Sequence, residues 1–197
     1  MTGKKFFSTK YCLERPGFTI IELVVCAGII AMISTLIIAN FQGSTQRGSL
    51  DNEAERLSSV LRQANINSLI GLTIAGGVRP AGGFGVHLDT CSSDCSYFIF
   101  ADGNGDHLYD PNNPGDIIIQ NLGMLDDNVY IHQLVLPLPE GQPQPASLDI
   151  AFVPPQGLVF INGVDTFEQA EVSLGFANSS YERTITLISK SGRINIQ

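Results

Sequence analysis

Gly17-Phe18-Thr19-Ile20-Ile21-Glu22-Leu23 opens a run that continues as Val24-Val25-Cys26-Ala27-Gly28-Ile29-Ile30-Ala31-Met32-Ile33-Ser34-Thr35-Leu36-Ile37-Ile38-Ala39-Asn40-Phe41. Between Phe18 and Phe41 the one charged side chain is Glu22. About 20 such residues span the hydrocarbon of a bilayer as a helix, so residues 18–41 are expected to cross a membrane once. An ordinary secretory signal offers a small-residue cleavage site after about 7 to 15 apolar residues. This run is longer and ends in Asn40-Phe41-Gln42. The small residue, Gly17, stands instead in front of it.

Residues 1–17 are expected to form a basic leader. Lys4, Lys5, Lys10 and Arg15 against Glu14 give this leader +3, so the chain's net −8 leaves −11 for the remainder. The basic end is expected to stay cytoplasmic and the acidic bulk to be delivered across the membrane. A surface of that sign has little general attraction for nucleic-acid phosphates. Of the four cysteines, Cys12 falls in the leader and Cys26 in the span, which leaves Cys91 and Cys95 for the exported part.

The order glycine, phenylalanine, threonine, two aliphatics, glutamate and leucine at 17–23 resembles the processing site of type IV prepilins and pseudopilins. The resemblance is strong over about the first 50 residues and loose beyond. It implies a prepilin peptidase that cuts between Gly17 and Phe18 and methylates the new Phe18 terminus. It also implies residence in the inner (cytoplasmic) membrane as a single-pass protein with its head outside the cytoplasm. Assembly with other pilins or pseudopilins would follow, driven by a platform and ATPase system. A carboxylate four residues into an apolar span costs several kcal/mol to bury alone. The family likeness supplies its partner: Glu22 of an incoming subunit pairs with the Phe18 amine of a neighbour. The plain alternative leaves Glu22 at the headgroup level of a simple signal anchor.

Past Gly43 the pattern turns amphipathic, with Leu50, Ala54, Leu57, Leu61, Ala64 and Ser68 at three- and four-residue steps. Asp51, Glu53, Glu55, Arg56 and Arg62 fall mostly off that stripe, and Gly71 with Gly76-Gly77 gives stop signals. Residues 18–70 thus read as one helix about 80 Å long, amphipathic over 49–70 and open to loosening around Gly43–Gly48. Residues 78–197 read as a β-rich head. Strands are expected at 83–88, 97–101, 116–121, 128–136, 147–153, 158–161, 170–177, 184–189 and 192–197, the last two as a hairpin. Pro137, Pro139, Pro143, Pro145, Pro154 and Pro155 belong in loops or at edges. The expected fold class is α+β, a long N-terminal helix packed on an antiparallel sheet. Arg79-Pro80-Ala81-Gly82-Gly83-Phe84-Gly85-Val86-His87-Leu88 resembles the H-class, FimT-like pseudopilins in particular.

Three constellations could carry chemistry. Asp102, Asn104, Asp106, the Leu108 carbonyl and Asp110 have calcium-loop spacing. His107 stands where that motif uses glycine, Asn113 where it uses a bidentate glutamate, and a plain Asx-rich turn has the same composition. Cys91 and Cys95 suit a small disulfide-closed turn; two free thiols, or a zinc site completed by His87 and His107, are the alternatives. Arg183, Lys190 and Arg193 are the cations a DNA-capturing minor pilin would use near its C-terminus. A bitopic protein with an adhesive ectodomain is a third reading. No nucleophile elbow, phosphate-binding glycine loop or paired metal-histidine motif is present, and His132 lies in an apolar strand, so an enzyme is not expected.

Overall fold

The computed structural model describes residues 17–74, 76–92, 95–113, 115–124 and 126–197, the side chains of 38–42 excepted. Apart from Gly17, the expected leader lies outside the described residues. The chain is α+β: helix α1 (Ile20–Leu69) precedes strands β1 (Gly83–Asp89), β2 (Ser96–Asp102), β3 (Ile117–Gly123), β4 (Val129–Val135), β5 (Ser147–Val153), β6 (Leu158–Ile161), β7 (Gln169–Phe176), β8 (Glu182–Ile188) and β9 (Arg193–Ile196). Two compact units divide it, Met1–Gln42 and Gly43–Gln197.

In the first unit, α1 begins on Thr19. Its Oγ1 accepts the Glu22 N–H at 3.3 Å and its carbonyl accepts the Leu23 N–H at 3.2 Å. Thr19 is therefore the N-cap and Glu22 stands three residues inside, where a negative charge suits the helix dipole. Ile20–Ile37 is long and apolar enough to cross a membrane, and none of it is buried. Ser34 and Thr35 turn their hydroxyls onto the Ile30 and Met32 carbonyls, both at 2.8 Å. That internal bonding satisfies both hydroxyls without a partner outside the helix. The loosening expected around Gly43–Gly48 is corrected, because α1 is helical through both glycines. An isolated helical glycine costs only about 1 kcal/mol against alanine, too little to break the backbone ladder.

In the second unit, Leu50, Ala54, Leu57, Leu61 and Ala64 are buried in the core, as the stripe predicts, and Ser68 is buried with its Oγ accepting the Phe84 N–H at 2.8 Å. The helix stops at Gly71, whose φ of +63° suits a residue without a Cβ. Leu72 N–H reaches the Asn67 carbonyl at 3.0 Å and Gly71 N–H the Ser68 carbonyl at 3.1 Å, the paired bonds of a Schellman end. Glu53 corrects the sequence expectation, for it is fully buried. Tyr97 Oη donates to its Oε1 at 2.8 Å, and Arg56 Nη1 lies 3.7 Å from the same oxygen. Burial first, and the Glu53 charge beside it, hold the Tyr97 phenol well above its ordinary pKa. Tyr97→Phe removes one donor from this carboxylate and is expected to cost about 1–3 kcal/mol in urea unfolding of the chain in micelles.

The strands form two antiparallel sheets, ordered β3-β2-β1-β5-β6 and β4-β7-β8-β9. Each expected strand is present, with ends displaced by a residue or two. Phe84, Val86 and Leu88 of β1, Tyr97 and Ile99 of β2, and Leu148, Ile150 and Phe152 of β5 face one core, where Ile131, Val172, Leu174 and Ile185 of the second sheet and the helical stripe meet them. The β8–β9 hairpin pairs Ile185 with Ile196 and Ile188 with Arg193. The prolines fall in the β4–β5 and β5–β6 connections, where no ladder needs their missing N–H.

Candidate functional site

The residues of the expected processing string stand together at the foot of α1. Gly17, Phe18 and Glu22 are all exposed, Phe18 by 77 %. Glu22 has no ion-pair partner among the described residues. Its local contribution is confined to the first helical turn.

A second cluster lies on the face of the first sheet turned away from the core. There β1 presents His87, β2 presents Phe98 and Phe100, and β6 presents Phe160, because alternate residues of each strand fill the core. Residues 103–113 of the β2–β3 connection fold over this aromatic layer. Tyr109 packs edge-on to Phe98 at 4.7 Å and tilts against His87 and Phe100, while His107 lies 4.0 Å from Phe160. One fully buried carboxylate anchors the cover. Asp102 Oδ1 accepts the Gly105 N–H at 2.6 Å, and its Oδ2 meets the His107 N–H at 2.9 Å and His107 Nδ1 at 3.0 Å. His107 holds φ +66°, so the left-handed turn that the calcium motif assigns to glycine is made here by a histidine bonded to Asp102.

These bonds decide how the expected calcium ligands are used. Asn104 Oδ1 accepts from Asp106 N, Asp106 Oδ1 from Leu108 N, and Asp110 Oδ1 from Asn112 N. Among the described residues no group of three or more His, Cys, Asp and Glu side chains is placed to hold a metal. Asp102, Asp106 and Asp110 are thus not gathered as a cage; each organises backbone. Asp116, which the spacing argument passed over, ties the loop's far end by accepting from Gly103 N at 3.3 Å and Asp110 N at 3.0 Å. It lies beyond Asn113, the last position the calcium motif uses.

Cys91 and Cys95 form a disulfide with Cα atoms 5.6 Å apart. The free-thiol and zinc alternatives are thereby corrected: the sulfurs bond each other, and His87 and His107 are engaged by Asp149 and Asp102. Opening so short a loop is expected to cost about 2 kcal/mol on the chain-entropy estimate, measurable as a lower urea midpoint for the Cys91→Ser, Cys95→Ser pair. His132 is half-exposed, with Nε2 at 3.6 Å from Glu182. Of the C-terminal cations, Arg183 bonds Asp51, and Lys190 Nζ lies 2.8 Å from Glu168.

His87 is the titrating group with the clearest built-in partner. Burial disfavours its charged form, yet Asp149 at 2.7 Å and Asp89 at 3.3 Å outweigh burial and raise its pKa above 6.5. A raised folded value means the folded state holds the proton more tightly. This contribution is full below about pH 6.5 and is lost as pH rises through the higher folded value. Melting temperatures should therefore fall between pH 6 and 8, and His87→Gln should flatten that slope.

Comparison of the chain with protein-family models, with curated proteins and with solved structures returns no match.

Proposed function

We propose that this chain is the precursor of a type IV pilin-like subunit, a pseudopilin or minor pilin that enters a membrane-rooted filament after cleavage between Gly17 and Phe18. One observation carries the reading: the Gly17–Leu23 string stands at the start of α1 and runs into the exposed apolar window Ile20–Ile37. Cleavage there creates an amine at Phe18, about one helical turn from Glu22. Between chains the two groups set register, because an acid inside hydrocarbon is stable only beside a cation or a proton.

The chain waits in the inner membrane as a single-pass protein, and the assembly platform with its ATPase draws α1 from lipid into a bundle of like helices. Lipid tails and apolar side chains are similar surroundings, so this exchange is close to neutral and small preferences steer it. The head supplies contacts at the filament surface, and no catalytic role is assigned to it. Intact-mass and terminal-peptide mass spectrometry of the protein from cells with an active prepilin peptidase tests the proposal. A chain lacking residues 1–17, with one methyl on the Phe18 amine, is expected. Recovery of Met1 or Thr2 at the terminus would refute it.

A further inference from the structure

A free sheet edge presents unpaired N–H and C=O groups that invite another strand, and natural sheets blunt it with short strands, charge, proline or bulges. Four strands lie at edges here. Strands β6 and β9 have 4 residues each, and β4 exposes His132 and Gln133 at its middle and runs towards Pro137. Strand β3 differs from all three. Its 7 residues contain no charge and no proline, and Ile117, Ile118 and Ile119 are 39 %, 43 % and 41 % exposed. Two devices blunt it, a bulge where β3 meets Ile99 and Phe100 and the Arg56 guanidinium on the Gly123 carbonyl at its far end, and neither covers the isoleucines.

The register places these isoleucines on both faces. Ile117 pairs with Ala101, which faces the core, and Ile118 pairs with Phe100, on the opposite face. A body lying against one face of the sheet covers one of them and leaves the other in water. A strand laid along the edge gives both a cross-strand neighbour and satisfies the outward backbone groups as well.

We propose that β3 is a strand-addition site for an extended segment of a different protein, apolar at alternate positions and carrying Lys or Arg at both ends. The charge at the strand's ends selects this occupant. Asp110 and Asp116 precede β3, and Asp126 and Asp127 follow it. The nearby cation Arg56 already donates to the Gly123 carbonyl at 2.6 Å and faces Glu53. A second copy paired antiparallel sets Asp116 against Asp126 and Asp127, and like charges facing across a ladder are destabilising. The inference does not depend on the filament reading.

The test uses the full chain in detergent micelles and a labelled nonapeptide of alternating valine and threonine with two lysines at each end. Saturable binding by fluorescence anisotropy is expected, with slowed amide exchange confined to 117–123. The exposed substitution Ile118→Lys should weaken binding about tenfold, the effect of ~1.4 kcal/mol, with an unchanged melting temperature. A peptide ending in glutamates should bind weaker by a similar factor. No saturable binding, unchanged exchange at 117–123, or equal binding of the glutamate-ended peptide overturns the proposal. So does a chain that dimerises through this edge and is made monomeric by Ile118→Lys.

Discussion

Glu22→Ala is expected to be cleaved and inserted normally yet to drop out of filaments by a hundredfold or more, scored by immunoblot of sheared filaments against membranes. Magnitudes separate the two roles this residue can have. As the acid in the first turn of α1 it interacts with the helix end, worth about 0.3–1 kcal/mol, or at most about fivefold. As one partner of an ion pair removed from water, its loss strands the Phe18 amine and costs about 3–5 kcal/mol, which is more than a hundredfold. Thr19→Ala calibrates the smaller effect, since it removes the hydroxyl that caps Glu22 N–H and leaves the carboxylate in place. Its expected cost is about 1 kcal/mol. Equal recruitment of Glu22→Ala and Thr19→Ala would reduce Glu22 to a helix-end residue and remove intersubunit pairing from the proposal.

The second large effect is expected at Asp102. Truncation to alanine leaves Gly105 N–H, His107 N–H and the His107 ring, all half-buried, without their acceptor, at about 1 kcal/mol or more for each stranded group. A total of about 3 kcal/mol or more lowers the melting temperature by about 10 °C for a domain of this size. Gly82→Ala should act through the same anchor, because a Cβ there would stand 1.7 Å from Asp102 Oδ2. Thermal unfolding of the full chain in micelles, followed by near-ultraviolet circular dichroism of the tyrosines, measures both. The Asp102→Ala variant should also expose Tyr109, which quenching by iodide would report. A melting temperature within a degree or two of the parent would show that the aromatic layer holds the loop unaided.

Alternation and helical periodicity made most of the architecture legible. Val86, Leu88, Ile99 and Ile150 turn inward as period-two reading requires, and the Leu50 to Ser68 stripe is buried along its length. Glu53 was misplaced because a charge is read as solvent-facing unless its partners are known. Those partners, Tyr97 and Arg56, include one from a strand 44 residues away. The loop after β2 stayed open between two readings for a related reason. Oxygen side chains at every second position suit a cation and an Asx-rich cover equally well, and only folding brings His107, Phe160 and the Asp102 anchor together.

The position of the apolar window, the place of the Gly17–Leu23 string at its start, and a helix ahead of alternating strands are all legible along the chain. These depend on side-chain type and spacing along one segment, which local geometry converts directly into faces and lengths. Long-range packing set the rest: the division of nine strands among the described residues into two sheets, the burial of Glu53 and Asp102, and the bare isoleucine edge of β3. Each depends on which distant residue arrives opposite, and in a folded chain that is set by the packing of the whole core.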